Sequence, residues 1–130
     1  MISASSPFLC ATSQPLVALM GPRNGYLQLS TPQLITNYQA LPASLFLAAC
    51  QWAATLETLG APKVYWLMLS DVVPHLHLHL YPRWAEDTLQ GTALFDARNE
   101  PQPAWQPETQ NALAQWSERH GVHLLPAPLQ

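Results

Sequence analysis

The sequence predicts an α+β domain, and three of its patterns carry that prediction. Leu16-Val17-Ala18-Leu19-Met20 and Tyr26-Leu27-Gln28-Leu29-Ser30 flank the turn-rich Gly21-Pro22-Arg23-Asn24-Gly25, a run–turn–run that reads as an antiparallel hairpin. Pro42 to Leu59 is rich in Ala, Leu and Gln and spaces its apolar residues by three and four, the period of an amphipathic helix. His75 to Tyr81 alternates residue type at every step, the period of a strand.

Each element follows in chain order. Residues 1–14 are small and polar, an extended arm or an edge strand. Thr31 to Leu41 is a connection with a short helical turn near Pro32. The helix then starts at Pro42, where a missing N–H costs nothing, and stops at Gly60 with Pro62 behind it. Leu45, Ala48, Ala49, Trp52 and Leu56 form its apolar face. Leu47, Cys50 and Ala54 make the other side partly apolar, so the pattern predicts cover by a sheet and by a second chain. Val64 to Leu69 is β-branched, aromatic and aliphatic, which reads as a buried central strand. The alternating strand comes next and ends at Pro82. Residues 82–107, with four prolines, read as a long irregular wrap. Glu108 to His120 is a second helix closed by Gly121, and Val122 to Gln130 reads as a tail.

Composition narrows the function. At 130 residues the chain is one domain, with a hydrophobic fraction of 48% that supports a real core. Charged residues make up only 10%, the net charge is −3, and Lys63 is the single lysine. Gripping the outside of duplex nucleic acid needs many phosphate contacts, so that class is disfavoured, whereas one enclosed nucleotide is compatible with so few charges. Cys10 and Cys50 form no framework and no metal motif and read as two buried thiols of a reducing compartment, with a disulfide between them as the alternative. The N-terminus lacks a positive segment and a lipidation pattern, and the apolar run Pro42–Ala54 falls short of the ~20 residues of a membrane span. A cytoplasmic protein with no membrane partner is expected.

The stretch with chemistry in it is His75-Leu76-His77-Leu78-His79-Leu80-Tyr81. On a strand the three histidines share one face, ~6.5–7 Å apart, while Leu76, Leu78 and Leu80 enter the core. Three readings are open. Two imidazoles at i and i+2 can reach one zinc ion, although a straight strand separates the outer pair by ~13 Å and only Asp71 offers further ligation nearby. A neutral imidazole is a good nucleophile near pH 7, and its neighbours can hydrogen-bond phosphate oxygens, which suits attack at phosphorus. The third reading is a solvated histidine-rich strand without chemistry.

His75 to Tyr81 resembles the histidine triad pattern, His-φ-His-φ-His-φ-φ with φ apolar, without a mismatch. Pro82-Arg83 resembles the Pro-Arg that often follows it, and Val72-Val73-Pro74 looks like the lead-in of a bacterial branch. The layout of hairpin, long helix, strand and triad strand is similar too. The resemblance covers residues 15–96 and leaves 97–130 as a C-terminal extension packing on the same single domain. It implies a HIT-like fold: an antiparallel sheet of about five strands, one long helix and a C-terminal helix. It implies that His77 attacks the α-phosphorus of a nucleotide derivative, that His75 and His79 contact phosphate and assist the leaving group, and that no metal or other cofactor is needed. Substrates implied are dinucleoside polyphosphates and nucleoside phosphoramidates, and the implied assembly is a homodimer. The alternatives are a nucleotide-binding or adaptor protein with little turnover, and a metal-dependent enzyme.

The departures concern recognition. Many members carry Gly-Gln before the first histidine, where this chain has Ser70-Asp71. Ser70, Asp71 and Arg83 are the candidate substrate-binding residues: Asp71 faces a ribose hydroxyl, a histidine or an amide, or else caps the turn. Arg83 reaches phosphate from the strand end or neutralises Glu86 and Asp87. The ribose-binding Asn of many members has no match in Leu19-Met20-Gly21, and the Gly-His before the second hairpin strand is Gly25-Tyr26 here.

Overall fold

The computed structural model describes residues 15–69 and 75–125, in which one five-stranded mixed sheet carries three helices. The strands are β1 (Leu16–Met20), β2 (Leu27–Ser30), β3 (Lys63–Leu67), β4 (Leu78–Arg83) and β5 (Val122–Leu125). The helices are α1 (Ala43–Thr58), α2 (Thr92–Asp96) and α3 (Pro107–His120), with a short 3₁₀ turn at Tyr38–Ala40. The sheet order is β3-β4-β2-β1-β5. The α+β class is therefore as the sequence predicts.

Alternation decides what each side of the sheet does. Leu27 and Leu29 of β2 lie opposite Leu80 and Leu78 of β4, and all four are buried against the helices. Leu45, Ala48, Ala49, Trp52 and Leu56 of α1 and Leu113 and Trp116 of α3 complete that core. Fully burying one such large side chain is worth ~1.5–3 kcal/mol, so this layer is the main source of stability. The opposite side carries Gln28, His79 and Tyr81, with Leu94 and Phe95 of α2 packed over Tyr26 and Tyr81.

The turn between β1 and β2 is tied down from every side. Trp105 donates its indole N–H to the Gly21 carbonyl, Trp84 to Asn24 and Trp52 to Gly25, each at 2.8–2.9 Å. Gly25 sits at φ +84, and a Cβ there would lie 2.5 Å from Leu56 Cδ2, so glycine is required twice over. Arg23 is buried: it forks onto both Asp87 oxygens at 2.6 and 2.7 Å, donates to the Pro82 carbonyl at 2.9 Å and to Gln102 at 2.8 Å.

Several sequence expectations need correction. The sheet is mixed rather than antiparallel, because Val122–Leu125 is a strand parallel to β1 and not part of a tail. Gly121, at φ +63, ends α3 and turns the chain straight into that strand. The segment beginning at Val64 is an edge strand with Trp66 42% exposed, not a central one: its apolar character is shared between the core and an open edge. Pro82 does not stop β4, which pairs on to Arg83. Beyond Leu80 the β2 side of β4 is vacant, so the missing N–H is not needed there, and the Pro82 carbonyl on that side accepts from Arg23 instead. Residues 82–107 contain α2, a short helix led by Gly91. Cys50 is exposed on α1 rather than buried, while Cys10 and the arm 1–14 lie outside the described residues. Among the described residues no helix is long and apolar enough to cross a membrane.

Arg23 and Asp87 generate a stability prediction. Asp87→Ala leaves a buried guanidinium without its counter-charge, and the expected loss is ~3–5 kcal/mol in urea denaturation at pH 7. In the wild type the Arg23 hydrogen bonds hold the Asp87 carboxyl below its ordinary value. The pair's contribution is therefore complete above the ordinary carboxylate range and is lost as pH falls through that depressed value, a slope the Asp87→Ala variant should lack.

Candidate functional site

Strand alternation brings the three histidines to one side: His75, His77 and His79 are half-buried while Leu76, Leu78 and Leu80 are buried. Neighbouring rings stand 5.3 Å apart for His75–His77 and 6.5 Å for His77–His79. The regular strand begins at Leu78, so the first two histidines lie on the extended segment leading into it.

His75 is locked by the connection after β2. The Ile35 N–H donates to its Nδ1 at 3.0 Å, and the Leu76 N–H donates back to the Ile35 carbonyl at 2.9 Å. A nitrogen that accepts carries no proton, so the ring proton is on Nε2. That N–H is shared between the Thr31 carbonyl at 3.0 Å and Ser30 Oγ at 2.9 Å. The Ser30 hydroxyl spends its own proton on the Leu76 carbonyl at 2.6 Å.

His79 lies across the sheet from Gln28 and is touched from two more directions. Tyr26 Oη lies 2.8 Å from its Nδ1, and the Phe95 ring meets it edge-on at 5.7 Å. Burial pushes its pKa down to about 4, with the nearby His77 and Arg98 acting in the same direction. Burial, and then His75, also lower the pKa of His77. Both rings are therefore neutral at pH 7. Among the described residues His77 meets the other two through ring contacts and has no hydrogen bond of its own.

A cleft of about 550 Å³ adjoins the row. No histidine lines it. It reaches the site through Tyr26 and Gln28, and its other wall is Arg98 to Gln102. Arg98 is held by the Phe95 carbonyl at 3.0 Å and stacks on the Phe95 ring at 4.4 Å.

Of the residues expected at the site, the structure unites His75, His77 and His79. Ser70 and Asp71 lie outside the described residues. Arg83 stands four residues past His79, ~13 Å along the strand, opposite Lys63 and near enough to Asp87 to help hold that carboxyl ionised. Tyr26, Ser30 and Arg98 are site residues that sequence reasoning assigned no role. The signal for the first two was present in the alternation Tyr26-x-Gln28-x-Ser30, whose polar face is the one β2 turns toward the histidines. Among the described residues no group of three or more His, Cys, Asp or Glu side chains is placed to hold a metal ion.

No family model, no curated protein and no solved structure matches this chain.

Two measurements follow. Ser30→Ala strips the Leu76 carbonyl of its donor and should cost about 1–3 kcal/mol in thermal or urea unfolding. Wild-type stability should also fall as pH drops from about 6.5 toward about 4. In that window the unfolded chain takes up protons that the buried His79 ring refuses, so the unfolded state binds more of them. Replacing His79 with Gln should flatten that part of the stability curve.

Proposed function

We propose that the chain is a nucleotide hydrolase or nucleotidyl transferase acting at an α-phosphate through a nucleotidyl-His77 intermediate, in the manner of the histidine triad proteins its motif resembles, on a HIT-like fold. One observation carries the reading: three imidazoles in a row on one strand face, the outer two each accepting a hydrogen bond at Nδ1 or lying in bonding distance of a phenol there, the middle one unclaimed.

The chemistry follows from those states. A neutral His77 offers a nitrogen lone pair to phosphorus, the new P–N bond forms, and the bond from phosphorus to the leaving group breaks with its electron pair. Water then attacks the same phosphorus and gives up a proton to the solvent, and the P–N bond returns its electrons to the imidazole. A nucleoside monophosphate is released, or a nucleotidyl ester if an alcohol replaces water. On one side the Nε2 of His79, which bonds to no other group among the described residues, can meet the charge that develops on the phosphate oxygens, while His75, with both ring nitrogens held by the chain, fixes the segment in place. The cleft of about 550 Å³ lies within the size range of small-molecule sites and supports a nucleotide as ligand.

A homodimer belongs to the same proposal. The β3 edge and the outer side of α1 leave Trp66, Phe46 and Leu47 exposed at 42%, 41% and 58%. Pairing two copies there would remove apolar surface that a chain with 10% charged residues is poorly equipped to keep solvated. Sedimentation at micromolar concentration should show a dimer, and Trp66→Glu should convert it to monomer.

The deciding experiment is turnover of dinucleoside polyphosphates and adenosine phosphoramidates in the presence of EDTA. Wild type should be active, and His77→Ala should lose about 10³-fold or more. The acid limb of kcat/KM should lie below the ordinary histidine value, because His77 stays neutral at lower pH than a free imidazole. Tight nucleotide binding without turnover would assign the site to recognition alone.

A further inference from the structure

The Tyr26 phenol is 3% exposed and stands at the mouth of β2, directly after the pinned turn. Its ring packs edge-on against Tyr81 at 4.7 Å. Its oxygen accepts from Gln28 Nε2 at 3.4 Å and lies 2.8 Å from His79 Nδ1. A buried phenol keeps its proton, and here burial pushes its pKa up to about 12. With the Gln28 amide donating to that oxygen, the hydroxyl proton has one acceptor at hand, and that is His79 Nδ1.

We infer that Tyr26 is a positioning residue that holds His79 as a neutral ring protonated on Nε2, so that His79 donates a hydrogen bond at the site but does not hand over a proton. This inference rests on the triad reading above and makes it more specific. A carboxylate on Nδ1 would stabilise an imidazolium; a phenol donating there stabilises the bare lone pair instead. The remaining surroundings agree. Among the described residues β3 places Leu67 opposite His79 and α2 places Phe95 against it, neither ionisable. The ionisable groups acting on it, His77 and Arg98, both disfavour a positive ring. The Tyr26–His79 pair could surrender the Nε2 proton only by leaving an anion, an imidazolate or, by relay through Nδ1, a buried tyrosinate, so it stops at hydrogen bonding.

The consequence is a substrate class. When His77 bonds to phosphorus, the leaving group must take the electron pair from the broken bond and depart without a proton from His79. A phosphate or polyphosphate leaves readily as an anion, whereas an alkylamine needs to be protonated as it goes. Arg98, on the wall of the adjoining cleft, is the cation near His79. The preferred substrates are phosphoanhydrides, and amine-leaving phosphoramidates are poor ones.

The test pairs spectroscopy with kinetics on the full chain. Long-range ¹H–¹⁵N correlation of histidine-labelled protein at pH 7 should show His79 protonated on Nε2 in the wild type. In Tyr26→Phe, which keeps the ring packing on Tyr81, both tautomers should appear and the titration midpoint of His79 should move up. A wild-type His79 protonated on Nδ1, or a Tyr26→Phe spectrum identical to wild type, overturns the inference. In kinetics, diadenosine tetraphosphate should exceed an adenosine alkylphosphoramidate by about 100-fold or more in kcat/KM, the usual worth of an absent general acid. Tyr26→Phe should lower kcat on the anhydride about 10-fold with KM little changed. Parity between the two leaving groups overturns the substrate class. If neither compound is turned over, the triad reading fails, and the tautomer measurement still decides what Tyr26 does.

Discussion

The turn from Gly21 to Gly25 is the constraint on which the rest of the structure depends. Three indole N–H groups end on its carbonyls, one from α1, one from the residue after β4 and one from the strap before α3. Its Asn24 side-chain oxygen accepts from the Gln106 N–H at 3.0 Å, and its backbone N–H donates to the Pro103 carbonyl at 2.9 Å. Its Arg23 is the one large cation in the interior among the described residues. A hairpin turn ordinarily faces water and satisfies its polar groups there. This one is buried, so nearly every polar group on it needs a named partner, and those partners come from segments far apart in sequence. Three of the five tryptophans donate to carbonyls of this turn, which ties much of the unusual Trp content to this demand, and a fourth, Trp116, donates to the Ala48 carbonyl of α1.

Because the turn is rigid, the residue after it is rigid too. Tyr26 leaves the turn with its N–H on the Arg23 carbonyl and its carbonyl on the Gly21 N–H, each short. Its phenol is thereby aimed at β4 before any ligand arrives. The same strand register that sends Leu27 and Leu29 to the helices sends Tyr26, Gln28 and Ser30 to the histidines. Packing on one face and the histidine row on the other are thus a single register choice: a slip of one residue along His75–Leu80 would bury the imidazoles and expose Leu76, Leu78 and Leu80.

The sequence made this division legible but not its assembly. The alternation of His75–Leu80, the hairpin runs and the apolar face of α1 each follow a local period, and the structure bears each of them out. What local pattern could not reveal is set by partners distant in sequence. Val122–Leu125 is four residues long and becomes a strand because β1 offers it a free edge. Pro82 remains in β4 because β2 ends short of it, a fact about another segment. The segment from Val64 looks like a central strand because its residues are apolar, yet an edge strand with half-exposed apolar residues has the same composition. Arg23 looks like a turn residue, and its burial depends on Asp87, sixty-four positions away.

The histidine row shows how a chain so poor in charge can still gather titratable side chains on one face. A histidine row steadied by carboxylates would carry proton-binding capacity and net charge. Here His75 rests on a backbone N–H and His79 lies against a phenol, and no carboxylate hydrogen-bonds either ring among the described residues. Neutral partners cost little to bury beside neutral rings, whereas an ion pair in the same place would pay a desolvation penalty on both members. The one buried pair the fold does keep, Arg23 with Asp87, is spent on fixing the turn. Keeping the row uncharged has a chemical effect as well as a structural one: it leaves a nucleophilic lone pair on His77 at a pH where exposed histidines begin to protonate.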